Sequence, residues 1–156
     1  MKRFIILIIS FLCFTQAFSE EHLKFLGFPI DGTVNEYASK LMSKGFCISP
    51  DNEYASKGLR VMEGPFLGNT ESFGLHYDTD TKKMYSVVFC HSFFKEEEAK
   101  ELYDKLESLL HEKHNEATYK SPLVGSFVSS CSFQSNKGII TLIIIERDDD
   151  YQVKMS

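Results

Sequence analysis

Glu107, His111 and His114 follow one another at intervals of four and three residues, the spacing that lines side chains along one stripe of a helix. A carboxylate with two imidazoles can hold a zinc ion and leave one coordination position open. The stripe also has a plainer use, because histidines near a helix C-terminus sit well against the negative end of the helix dipole. Cys90 beside His91 raises the idea of a thiol dyad, but neighbours on a strand point to opposite faces and cannot share a proton. In the strand pairing derived below, Cys90 faces Ser72, His91 faces Glu71, and His76 faces Ser86, on a diagonal from Cys90 too long for thiol activation. Asp78-Thr79-Asp80 and Asp148-Asp149-Asp150 offer carboxylates but lack the glycine and distal glutamate of a calcium loop, and they read as turns. No phosphate-cradling glycine loop, nucleophile elbow or paired-histidine zinc motif occurs in the sequence. These residues assign no catalytic group and no cofactor. The Glu107, His111 and His114 stripe stands as the alternative, a metal-dependent enzyme or metal-binding protein, with a thiol at Cys90 or Cys131 as its lesser variant.

The elements that must carry these residues follow from periodicity. Thr33 and Glu36 form a capping box at the start of a helix predicted over 33–44. Val34, Tyr37, Ala38, Leu41 and Met42 make its apolar stripe, and Gly45 with Phe46 gives a left-handed stop. From there the period becomes two, and 58–91 reads as strands broken at Gly64-Pro65 and Gly68-Asn69. Opposing Phe73 to Phe89, Leu75 to Val87 and Tyr77 to Tyr85, with Asp80-Thr81-Lys82 as the loop, puts the large apolar residues on one face. A slip of one residue would scatter them. A second helix spans 95–114, with Ala99, Leu102, Tyr103, Leu106, Leu109 and Leu110 inward and Glu96, Glu97 and Glu98 at its positive end. Asn115 and Pro122 close that stretch.

Three strands then form a meander over 124–134, 138–147 and from 151 onward, joined at Ser135-Asn136-Lys137-Gly138 and at the three aspartates. Phe127, Cys131, Phe133, Ile140, Leu142, Ile144, Val153 and Met155 share the face where helices should lie. The fold class is α+β, with two helices packed on an antiparallel sheet. Each half of about sixty residues has a helix followed by strands, which suggests an α-β-β-β duplication.

Residues 1–19 read as a cleavable signal peptide, with Lys2 and Arg3 before an apolar run too short to span a bilayer and a small-residue exit ending at Ser19. Leu12 before Cys13 does not suit lipid attachment. The remaining residues, 20–156, suffice for a single domain with its own core, exported to the periplasm or the extracellular space without a lipid anchor. Removing Lys2 and Arg3 from the 17 basic side chains leaves 15 against 22 acidic ones, a charge of −7. That balance argues against nucleic acid and anionic membranes as partners. No later apolar run is long enough to cross a bilayer. Cys47, Cys90 and Cys131 allow at most one bridge, which excludes a disulfide scaffold, and they read as small buried apolar side chains.

The stretch Phe25-Leu26-Gly27-Phe28-Pro29-Ile30-Asp31-Gly32-Thr33-Val34, the helix end Lys44-Gly45-Phe46 and the segment Gly64-Pro65-Phe66-Leu67-Gly68 resemble a group of small exported bacterial proteins without an assigned activity. The helix-then-meander plan is similar in topology to the β-lactamase inhibitory protein and to the small outer-membrane assembly lipoproteins. The chain departs from the lipoprotein pattern in lacking the lipidation cysteine. The strand 139–145 is apolar on both faces while helices can cover only one, so Ile139, Ile143 and Ile145 form a patch unless other segments cover them. Phe66 and Leu67 add an apolar tip framed by glycines, either tucked in or offered to a partner. The expectation is a non-enzymatic binding module that contacts another protein through these five residues; a structural subunit of an assembly is the third reading.

Overall fold

The computed structural model describes residues 22–50, 55–114, 118–119, 127–135, 137–148 and 150–156. The signal-peptide assignment, the closure at Asn115 and Pro122, the start of the strand predicted from Val124, the side chain of Phe127, Asn136 and Asp149 lie outside the described residues.

A small hairpin, β1 (Lys24–Phe25) and β2 (Phe28–Pro29), precedes helix α1 (Val34–Met42). The predicted capping box is present: the Glu36 carboxylate accepts from the Thr33 N–H at 2.8 Å, and the Thr33 hydroxyl accepts from the Glu36 N–H at 3.4 Å. The helix ends in a Schellman motif. The Phe46 N–H bonds the Leu41 carbonyl, the Gly45 N–H bonds the Met42 carbonyl, and Gly45 has φ +90°. Val34, Tyr37, Ala38 and Leu41 are buried, whereas Met42, assigned to the same stripe, lies at the helix end and is exposed.

Four strands follow: β3 (Cys47–Ile48), β4 (Leu59–Phe66), β5 (Asn69–Tyr77) and β6 (Met84–Phe93). The break expected at Gly64-Pro65 is absent. Gly64 continues β4 because the Phe46 ring fills the place where a Cβ would stand, and Pro65 lies past the Cys47 end of β3, where one edge of β4 has no partner strand among the described residues. Only Leu67 and Gly68, both at positive φ, form the β4–β5 turn. Phe73 opposes Phe89 and Leu75 opposes Val87, as the alternation requires. The pairing then slips, so that Tyr77 opposes Met84 while His76 opposes Ser86. Tyr85 is thereby extruded, 66% exposed, in place of the predicted partnership with Tyr77. The turn is wider than Asp80-Thr81-Lys82: one Asp78 oxygen accepts from the N–H groups of Asp80 and Thr81, and the Asp78 N–H donates across it to the Lys83 carbonyl.

Helix α2 (Glu96–Lys113) leads into β7 (Thr118–Tyr119), β8 (Phe127–Ser135), β9 (Gly138–Glu146) and β10 (Tyr151–Met155). Among the described residues, β3 to β10 form one antiparallel sheet in the order β3-β4-β5-β6-β10-β9-β8-β7. Each half is a helix followed by a short strand and a three-strand meander, and the last strand of each half meets the other at the centre. There Val153 opposes His91 and Met155 opposes Phe89.

Both helices pack on one face. Ala99, Tyr103, Leu106 and Leu110 of α2 join the buried residues of α1 over Phe73, Leu75, Phe89, Leu142, Ile144 and Val153. The inward assignments of Cys131, Phe133, Leu142, Ile144 and Val153 hold, with Ile140 and Met155 partly buried against the core. The cysteines divide: Cys131 is buried, but Cys47 and Cys90 are exposed, and the three form no disulfide with one another. Alternation explains this, since Cys47 and Cys90 occupy strand positions facing away from the helices.

Candidate binding surfaces

On the face opposite the helices, strand alternation brings together Leu59 and Val61 of β4, Val88 of β6, and Ile143 and Ile145 of β9, all half-buried. The register places Ile143 beside Ser130 and Lys154, and Ile145 beside Gln152. Lys154 stands at the centre of this face, between the two halves. Burial, and then the nearby Lys154 ammonium, lower the pKa of His76 on β5 and favour its neutral form. Burial raises the pKa of the Cys90 thiol although the residue as a whole is exposed; its sulfur lies 3.8 Å from the Gln152 side-chain Oε1. A thiol kept protonated is a poor nucleophile.

Phe66 and Leu67 lie on the other side of the sheet. The Phe66 ring packs against Phe73, Phe89 and Phe25, with centroids 5.2, 5.3 and 6.1 Å away, so the turn is tucked under the amino-terminal hairpin. Both residues line an apolar groove of about 610 Å³ between that hairpin and the C-terminal half of α2. Ile139, 56% exposed, reaches the rim of the same groove. Of the five residues expected to form one surface, the structure therefore joins Phe66, Leu67 and Ile139 and sets Ile143 and Ile145 apart on the open face.

The metal stripe is dispersed. His111 turns its ring edge-on to Phe133, 4.9 Å between centroids, while His114 lines the groove and Glu107 is half-buried on α2. Among the described residues, no group of three or more His, Cys, Asp or Glu side chains is placed to hold a metal ion.

A constellation that the sequence reading passed over is the pair of Glu71 on β5 and His91 on β6. Glu71 Oε2 lies 2.7 Å from His91 Nδ1; Glu71 is 9% exposed, and the His91 ring sits 4.5 Å from that of Phe93. The signal for it was the register, which already set the two residues face to face. The pair lines a cleft of about 290 Å³ with Glu98, Glu101 and Lys105 of α2. A carboxylate-oriented imidazole can carry a proton, but among the described residues no hydroxyl or thiol side chain lines this cleft to serve as its nucleophile. No family model, curated protein or solved structure matches the chain.

Proposed function

We propose that this chain is an exported, non-enzymatic binding module that contacts another protein at the cell envelope through the open face of its sheet. The observation that carries the reading is the one-sided architecture: among the described residues both helices lie on one face, and the opposite face presents half-buried aliphatic side chains around Lys154. Leu59, Val61, Val88, Ile143 and Ile145 supply apolar area that a partner would remove from water, at roughly 25 cal/mol per Å² before the costs of association. Glu63 and Lys154, on the same face, supply charges that select among partners.

Affinity capture from the organism's own envelope, with the wild-type protein and with Ile143→Lys and Ile145→Lys variants, tests this reading. A protein retained by the wild type and lost with the variants supports it; the same retained set in all three overturns it. Metal analysis separates the metal-binding alternative, since stoichiometric zinc lost in His111→Ala and His114→Ala would replace this reading.

A further inference from the structure

The groove on the helix side differs in charge from the rest of the molecule. The sequence has 22 acidic side chains against 17 Lys and Arg, yet among the described residues no aspartate or glutamate side chain lines this groove. Lys24, Lys113, Lys137, His22 and His114 do. They converge from three places in the fold: the amino-terminal hairpin, the end of α2 and the β8–β9 turn. Lys113 and His114 alone could be ascribed to the helix dipole, but Lys24, His22 and Lys137 cannot. Among the described residues, neither Lys24 nor Lys113 is paired with a carboxylate.

Inside this rim the walls are aliphatic. Leu106 and Leu110 are held in the core, whereas Leu109 is half-buried and lines the groove, with Ile140 and Met155 among the sheet residues beneath. A volume of about 610 Å³ lies within the usual range of small-molecule sites, roughly 300–1,000 Å³. An apolar trough with a cationic rim, in an otherwise acidic protein, is complementary to one kind of ligand.

We propose that this groove binds a single-chain anionic amphiphile of the fatty-acid class, its acyl chain along Leu109, Ile140 and Met155 and its carboxylate at the lysines. The site is separate from the open sheet face and does not depend on the partner proposed there. Fluorescence titration of the purified protein with cis-parinaric acid, and with its uncharged methyl ester, tests it. Expected are saturable one-to-one binding of the acid and roughly tenfold weaker binding of the ester. A similar loss is expected in Lys24→Glu and Lys113→Glu, and a larger one in Leu109→Glu, with Ile143→Lys unchanged. The lysines are surface residues, so those variants keep the test informative should Leu109→Glu fold poorly. Absence of saturation, equal binding of acid and ester, unchanged affinity in the lysine variants, or binding of an acidic amphipathic peptide in place of the fatty acid would each overturn the proposal.

Discussion

Glu71 and His91 form a 2.7 Å contact across β5 and β6 in which the carboxylate is the more deeply placed partner, 9% exposed against 35% for the imidazole. The asymmetry orders the two ways of breaking it. His91→Leu leaves a buried carboxylate without its partner, while Glu71→Leu leaves an imidazole that water can still reach. We expect His91→Leu to cost about 1–3 kcal/mol and Glu71→Leu less. The shift in urea midpoint at constant slope measures both; the reverse order would show that the pair is not limited by burial of the carboxylate.

Gly64 leaves room for Phe46. A methyl group there would meet the Phe46 ring, which cannot easily retreat because it is buried and packs edge-on to Phe73 at 5.6 Å. Gly64→Ala should therefore destabilise the protein by about 1–3 kcal/mol through overpacking. Combined with Phe46→Leu, the alanine should cost less than it does alone, and a double-mutant cycle in urea reads that coupling.

The same contact shows why part of the fold was legible in the sequence and part was not. Local signals carried through: Thr33 and Glu36 cap their helix as their spacing demands, and the alternation from Phe73 to Phe89 fixed a register that the structure keeps. Gly64-Pro65 looked like a break because its meaning is non-local, set by Phe46 above one side and by the start of β3 only at Cys47 on the other. Tyr85 was misplaced for a related reason, since a bulge inserts one residue without changing composition. At the candidate surfaces, alternation along β9 sets Ile143 on the open face, but the place of Phe66 and Leu67 depends on the path of the β4–β5 turn, which takes them under the hairpin. The cationic rim was invisible to composition because Lys24, Lys113 and Lys137 meet only in space.

The carboxyls of Glu36 and Asp78 are held below the ordinary carboxylate range, Glu36 chiefly by the Thr33 backbone N–H and Asp78 chiefly by that of Thr81. A carboxyl whose folded pKa is depressed stabilises the fold above its unfolded pKa, and that contribution is lost as pH falls through the folded pKa. Glu36→Gln should therefore lower the melting temperature at neutral pH, and the gap from wild type should close as pH drops below about 4. A gap constant with pH would show that the capping box acts through shape and not through charge.

Cys47, Cys90 and Cys131 should react with iodoacetamide in that order. Cys47 is exposed on the short strand β3, whereas Cys90 presents a sulfur whose pKa is raised by burial despite the exposure of its residue. Cys131 is fully buried beneath α2, where the Tyr103 hydroxyl bonds to it; burial first, and then that bond, push the Tyr103 phenol well above its ordinary value. Mass spectrometry of the timed reaction should show Cys47 labelled first, Cys90 more slowly and with a rate that climbs into the alkaline range, and Cys131 only when denaturant opens the core. Labelling of Cys131 in the folded protein at the rate of Cys90 would mean that α2 lifts from the sheet far more readily than its burial of Ala99, Tyr103, Leu106 and Leu110 allows.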